Sequence, residues 1–263
     1  MAFETILLEK KNGVARITLN RPEVLNAFNQ RMSDELKEAV SAISSDYGIK
    51  VVVITGAGGA FMSGADIAML QWYTNIANKE GAVRKIFEAS FSPTMLERLP
   101  QPVIAAVNGH AFGMGCEIAL GCDLRIASEN AQFGQLEIKL GIMTGAGGSV
   151  RLTRMIGKTK AMEMILTGKR IGSLEALRLG LLNRVVPANE LEQAVSEMIA
   201  DLVDKSPIAL RYSKSSINIA LEAGFDKAID NELALFCEVI KTRDAREGVS
   251  AFLQKRKPRF LGR

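Results

Sequence analysis

Two short apolar runs, 51–54 (Val-Val-Val-Ile) and 103–107 (Val-Ile-Ala-Ala-Val), each lead within a few residues into glycine-rich backbone that opens a helical pattern. A strand that is apolar at every position must be covered on both faces. The arrangement that does this is a parallel sheet with helices returning between its strands. A third run at 124–127 extends the series, so the core is expected to be α/β. Upstream, Val14, Arg16 and Thr18 alternate with Ala15, Ile17 and Leu19 as far as the turn signal Asn20-Arg21-Pro22. Met32, Leu36, Ala39, Val40 and Ile43 then recur at helical spacing. The first 55 residues therefore read strand, strand, helix, strand. After about residue 170 the strand signals largely stop, and 190–205, 207–220, 225–239 and 243–255 are helical in pattern, punctuated by Pro207 and Gly224. The expected organisation is an α/β core over 1–200 and a helical region over 201–263.

Composition excludes several classes of function. A chain of 263 residues with 48% hydrophobic content is globular. No run approaches the roughly 18 apolar residues of a membrane span, and the amino terminus has no basic stretch followed by an apolar one. A cytoplasmic, non-membrane protein is expected. Cys116, Cys122 and Cys237 are odd in number and widely spaced, which suits buried reduced thiols better than a disulfide framework. With a single histidine, His110, and no C-x-x-C, no metal site is expected. The net charge of +4 is modest, but Lys255, Arg256, Lys257, Arg259 and Arg263 crowd the end of the chain. That tail is either a solvated terminus or a contact for a polyanion such as a phosphorylated ligand.

The glycine loops do not fit the common phosphate motifs. Gly157-Lys158-Thr159 resembles the end of a P-loop, but Leu152 stands where that motif needs glycine. Gly56-Ala57-Gly58-Gly59-Ala60-Phe61 follows a strand as a dinucleotide fingerprint would, yet Phe61 takes the place of the third glycine. What the loops share is a strand that leads through glycine into a helix: 51–54 into Gly64-Ala65-Asp66-Ile67, and 103–107 into Gly113-Met114-Gly115-Cys116-Glu117. Glycine lets the backbone turn N–H groups toward a ligand, and a helix beginning there adds a favourable dipole. Two such turns can form an oxyanion hole.

Glu117 and Glu137 are the leading acid/base candidates. No G-x-S-x-G elbow occurs, and Ser149 in Gly147-Gly148-Ser149-Val150 lacks the closing glycine, so His110 has no evident nucleophile to serve. Two carboxyl groups around one small volume can move protons without metal or histidine. Apolar neighbours Ile118, Ala119, Ile138 and Leu140 would raise a carboxyl pKa, and a close pair resists simultaneous ionisation. Asp66 reads as the N-cap of a helix that positions the Ala65 amide.

These residues also carry a resemblance. Leu19-Asn20-Arg21-Pro22, Ser63-Gly64-Ala65-Asp66-Ile67, the segment from Pro102 to Gly109, Gly113-Met114-Gly115-Cys116-Glu117, Phe133-Gly134-Gln135-Leu136-Glu137 and Gly145-Ala146-Gly147-Gly148 occur in the order of the crotonase superfamily. The similarity covers nearly the whole chain, and it looks most like an enoyl-CoA hydratase. The resemblance implies a spiral of β-β-α turns forming two stacked sheets, and a carboxy-terminal helical region that packs on a neighbour in a homotrimer or a hexamer of two trimers. It also implies an acyl-CoA thioester substrate, with no cofactor beyond the coenzyme A that the substrate carries and no nucleic acid. Its thioester carbonyl would lie between the Ala65 and Met114 amides, with Asp66, Ile67, Ala68 and Gly145 completing the substrate contacts.

The expected reaction is reversible syn addition of water to a 2-enoyl-CoA, with Glu117 as base toward water and Glu137 as proton donor to the α-carbon. The alternatives are a Δ3,Δ2-enoyl-CoA isomerase of the same family, or an RNA-binding protein of the same fold. Aromatics at 6% and the lack of an RNA-recognition motif argue against the last. Three positions depart from the family pattern: Met114 replaces a frequent glycine, and Leu136 and Thr144 replace frequent prolines. The segment between Ile67 and Leu99 is a few residues longer than usual and carries Trp72 and Tyr73, which are expected to wall the acyl pocket.

Overall fold

A computed structural model describes residues 3–77 and 81–262. Strands β1 (Ile6–Lys11) and β2 (Val14–Leu19) form an antiparallel hairpin across Asn12 and Gly13, both at positive φ. That two-residue turn matches the twist of the strands it joins. Along β2 the buried set is Ala15, Ile17 and Leu19, the inward half of the expected alternation. Helix α1 (Gln30–Ser44) starts at Asn29, whose side chain accepts from the Met32 N–H, and it buries Met32, Leu36, Ala39, Val40 and Ile43.

Three successive turns of one pattern follow. Strand β3 (Val51–Gly56) leads to β4 (Ala60–Met62) and helices α2 (Ile67–Ile76), α3 (Ala82–Ala89) and α4 (Thr94–Glu97). Strand β5 (Val103–Val107) leads to β6 (His110–Phe112) and α5 (Met114–Gly121). Strand β7 (Leu124–Ser128) leads to β8 (Gln132–Gly134), a 3-10 turn at Glu137–Leu140 and α6 (Gly148–Thr167). The chain closes with β9 (Ile171–Gly172), α7 (Ser173–Arg178), β10 (Arg184–Val186) and helices α8 (Leu191–Val203), α9 (Pro207–Ala220), α10 (Phe225–Val239) and α11 (Arg243–Leu253).

The first strand of each turn joins a six-stranded sheet of order β1-β2-β3-β5-β7-β10, and the second joins a four-stranded sheet of order β4-β6-β8-β9. All pairs from β2 to β10 in the large sheet are parallel. Its central strands are buried on both faces. Val52, Ile54, Val103, Ala105 and Val107 enter the main core, while Val51, Val53, Ile104, Ala106 and Ile126 pack against Leu191, Ala194 and Val195 of α8. The continuous apolar runs are thus explained by two covers rather than one.

Two features depart from the sequence expectation. Strands continue past residue 170, because β9 and β10 each add to a sheet, but at two and three residues they are too short to show a period. The boundary expected at 200 falls within α8, which covers the outer face of the large sheet.

The carboxy-terminal helices are tied to the core by polar groups. Lys214 of α9 pairs with Asp123 at 2.7 Å and donates to the Leu96 and Gln101 carbonyls, and the Asn218 amide donates to the Glu97 carbonyl. Neither α9 nor α10 buries any residue, and Ile217, Leu221, Phe225, Leu233 and Phe236 are exposed along them.

Asn26 holds the corner between β3 and β4. It is fully buried in the left-handed region at φ 58, its amide donates to the Ala57 and Ala60 carbonyls at 2.9 and 2.8 Å, and its oxygen accepts from the Arg21 N–H at 2.9 Å. Asn26→Ala strands those groups and places a Cβ without compensating bonds in a left-handed conformation, so it is expected to cost about 3 kcal/mol. Urea midpoints at constant m-value measure this, and a cost below about 1 kcal/mol would show that water replaces the bonds.

Candidate active site

The site is assembled from four backbone segments at 63–66, 112–117, 134–137 and 144–148. Gly113 is at their junction. Its φ of 50 suits glycine, its N–H donates to the Gly134 carbonyl at 2.9 Å, and a Cβ there would lie 3.2 Å from Glu137 Oε1 and 3.6 Å from the Gly64 Cα. One glycine thus lets three of the segments close on one another.

Two N–H groups are left over by this folding. Phe28 forms a parallel bridge with Ala65, in which the Phe28 N–H donates to the Gly64 carbonyl and the Asp66 N–H to the Phe28 carbonyl, both at 2.8 Å. In such a bridge the Ala65 N–H points to the opposite side. It takes no acceptor among the described residues. Met114 is the first residue of α5, where helix geometry leaves its N–H without a partner. Asp66 caps α2 as expected: its Oδ1 accepts from the Ala68 N–H at 3.0 Å, and its Oδ2 pairs with Arg21 at 3.1 Å. Ile67 in the first turn of α2 is exposed.

Glu117 lies one turn into α5 and is 3% exposed. Its Oε1 accepts three bonds: from the Thr144 hydroxyl at 2.7 Å, the Ala146 N–H at 2.8 Å and the Gly148 N–H at 2.9 Å. All three donors point at one oxygen. The loop that supplies them depends on Gly147, whose φ is 100 and where a Cβ would fall 2.1 Å from Arg151 Nη1. Thr144 was read in the sequence only as a missing proline, and its hydroxyl contact is visible only once the loop is folded against α5.

Glu137 opens the 3-10 turn after β8 and is only partly exposed. Burial pushes its carboxyl up to about 7, and the Glu117 charge adds to the rise while its own and the Leu136 backbone bonds oppose it. The neighbours expected to desolvate the pair contribute unequally: Ile118 and Ala119 are buried, whereas Ile138 and Leu140 turn outward and are 42% and 57% exposed. A short 3-10 turn sends adjacent side chains in different directions, which apolar composition alone does not reveal. Gln135, 1% exposed, lies between the carboxylates. With its amide oriented so that both ends find partners, its nitrogen donates to Glu137 Oε1 and Oε2 at 3.0 and 3.2 Å.

An apolar cavity of about 630 Å³ lies beside Glu137, bounded by Leu70, Tyr73, Phe87, Ile138, Ile142 and Met143. Tyr73 lines this cavity and Trp72 does not. The Met114 side chain packs in the main core at 8% exposure. Gly145 packs against one of these walls, since a Cβ there would be 3.2 Å from the Phe87 ring.

Elsewhere, two of the tail cations have acidic partners: Arg256 pairs with Glu247 and Lys257 with Asp204. Arg263 lies outside the described residues. Cys116 and Cys122 are buried, and burial raises both thiols, Cys122 to about 12. Among the described residues no three His, Cys, Asp or Glu side chains converge, and no helix is long and apolar enough to cross a membrane.

A two-sheet α/β spiral that brings two unlike carboxyl groups beside two unused backbone N–H groups is the frame of an acid–base enzyme. Residues 9–263 match the family described as enoyl-CoA hydratase/isomerase, and the chain belongs to that family. It is 40% identical over 266 residues to a crotonyl-CoA hydratase of Syntrophomonas wolfei, covering all of both chains. It is also 40% identical to a short-chain-enoyl-CoA hydratase of Clostridium acetobutylicum, over 98% of this chain and 97% of the relative. A solved enoyl-CoA hydratase from Bacillus anthracis superposes with a TM-score of 0.90 at 37% identity, covering 99% of this chain and 100% of that one.

The Glu137 environment has a consequence for stability. Its folded pKa is raised from 4.5 to about 7, so between those values the folded chain holds a proton that the unfolded chain releases. Stability falls as pH rises through that window, by less than the full pKa shift would imply because the group is partly exposed to solvent. Glu137→Gln removes this dependence, so its stability relative to the parent protein is expected to be greater at pH 8 than at pH 4.5. Urea titrations at both pH values measure the difference, and parallel curves for the two proteins would overturn the buried assignment.

Proposed function

We infer that the chain is an enoyl-CoA hydratase, a hydro-lyase that adds water reversibly to a 2-enoyl-CoA. The observation that carries the mechanism is the unequal treatment of the two carboxyl groups. Glu117 meets three donors on one oxygen, while Glu137 is raised to about 7 and can exist in either state near neutrality. An acceptor fixed in place and a carboxyl able to carry a proton are what a base and an acid acting together require.

In this reading the thioester carbonyl accepts from the Ala65 and Met114 N–H groups. As water adds to C3, negative charge grows on that oxygen, and each fixed donor stabilises it by about 3 kcal/mol. Glu117 takes a proton from the water, which rests against the Gly145 N–H. Glu137 delivers its proton to C2 from the same side. Dehydration reverses both transfers. Asp66 holds the turn that aims the Ala65 amide, and the Ile67–Ala68 turn borders the thioester. The acyl chain runs into the cavity walled by Tyr73 and Phe87. An isomerase needs only one carboxylate to shuttle a proton between carbons, and the cradle built around Glu117 favours a reaction that handles water as well. The buried, unreactive Cys116 and Cys122 suit a reducing, cytoplasmic compartment.

The expected result is that Glu117→Gln and Glu137→Gln each lower hydration of crotonyl-CoA by at least ~100-fold while thioester affinity changes little. Loss of the conjugated-enoyl absorbance follows the reaction, and near-normal turnover in either variant removes that residue from the mechanism. Conversion of a 3-enoyl-CoA by a protein that does not hydrate crotonyl-CoA would establish the isomerase alternative instead.

The same reading includes a homotrimer or a hexamer of two trimers, with the exposed apolar side chains of α9 and α10 seated on another copy. Exposed apolar side chains gathered on one pair of helices are what marks an interaction surface. Phe236→Asp is expected to shift the protein to smaller species in light scattering while its circular dichroism is unchanged. An unchanged mass would place the interface elsewhere.

A further inference from the structure

Arg151, in the first turn of α6, touches neither carboxylate, yet its guanidinium makes four bonds. Nε and Nη2 pair with the two oxygens of Glu97 at 2.7 and 2.9 Å, Nη2 also donates to the Thr94 hydroxyl at 2.9 Å, and Nη1 donates to the Ala146 carbonyl at 2.7 Å. The Arg151 side chain is only 11% exposed. Holding a guanidinium this way serves no apolar packing need, because the fork ends on a loop carbonyl.

That carbonyl lies between the two N–H groups, of Ala146 and Gly148, that grip Glu117 Oε1. The loop from Gly145 to Gly148 has glycine at three of four positions, so its peptide planes rotate easily unless held. Arg151 holds one of them, and Gly147 leaves the space its Nη1 occupies. The other end of the clamp is itself fixed. Glu97 closes α4, whose carbonyls receive Lys214 and Asn218 from α9.

We propose that Arg151, seated by Glu97, is a positioning residue that keeps the 145–148 loop in the conformation in which it aims Glu117. The inference rests on the reading of Glu117 as the base toward water. A lysine at 151 retains a charge but not the fork: it cannot reach Glu97, Thr94 and the Ala146 carbonyl at once.

Two reactions separate this role from general loosening of the site. Hydration of crotonyl-CoA needs both glutamates. Exchange of solvent deuterium into C2 of butyryl-CoA, a saturated thioester, needs only Glu137 and the two N–H groups: Glu137 takes the C2 proton, the electron pair moves onto the held carbonyl oxygen, and a solvent-exchanged deuteron returns from Glu137 to C2. No water is added.

Arg151→Lys is expected to lower kcat for hydration by roughly 10- to 100-fold with little change in KM, since a displacement of about 1 Å in a reacting group has that effect. Deuterium exchange should stay within ~3-fold of the parent protein. Glu97→Gln, which keeps its shape but loses half the pair, should shift the ratio the same way by less, and it decides the matter if Arg151→Lys does not fold. Glu117→Gln is the reference. If it leaves hydration intact, the reading of Glu117 is overturned. If it abolishes hydration but Arg151→Lys and Glu97→Gln lower both reactions alike, or neither, the clamp is overturned.

Discussion

Everything in this molecule follows from where the backbone hydrogen bonds go at the ends of the parallel strands. A strand buried on both faces cannot end in open core without orphaning its N–H and C=O groups. Here β3, β5 and β7 each turn at a corner and pass into a short strand of the second sheet, which takes up the next residues' bonds. The helix that follows must then begin at the edge of both sheets. Its first N–H is left over, and so is that of Ala65, which the bridge to Phe28 turns outward. The two unused donors are consequences of how the spiral is wound, and that winding is stabilised by burial far from them.

The same winding gives the two glutamates different surroundings. Glu117 is carried on a helix buried along its whole length, where three donors meet its carboxyl. Glu137 stands at the lip of a 3-10 turn, where burial is incomplete and the donors are fewer, and its carboxyl rises. One scaffold thus separates two chemically identical groups by the number of N–H and O–H bonds it supplies to each.

Much of this was legible in the sequence. The unbroken apolar runs at 51–54 and 103–107 announced strands covered twice, and α8 is the second cover. The helices from 191 onward kept their periodicity because each is long enough to show it. What escaped notice was short or conditional. β4, β6, β8, β9 and β10 are two or three residues each, below the length at which alternation is visible. Ile138 and Leu140 are apolar but outward, and the Met114 side chain enters the core while its amide stays at the site. Direction is a property of the folded turn, and composition does not carry it. The basic tail makes a related point: charge is countable in a sequence, but the pairing of Arg256 with Glu247 and of Lys257 with Asp204 depends on residues brought from elsewhere in the chain.

Thr144 shows how a departure from a family pattern can be compensated locally. A proline there would stiffen the loop covalently by fixing φ. Threonine leaves φ free, and the loop regains order through the bond from its hydroxyl to Glu117 Oε1 at 2.7 Å. The two solutions differ in kind. A pyrrolidine ring is rigid whatever the carboxylate does, whereas a hydroxyl donates strongly to a carboxylate and weakly to a neutral acid. With threonine, the loop is ordered by the same carboxylate oxygen that the Ala146 and Gly148 N–H groups hold.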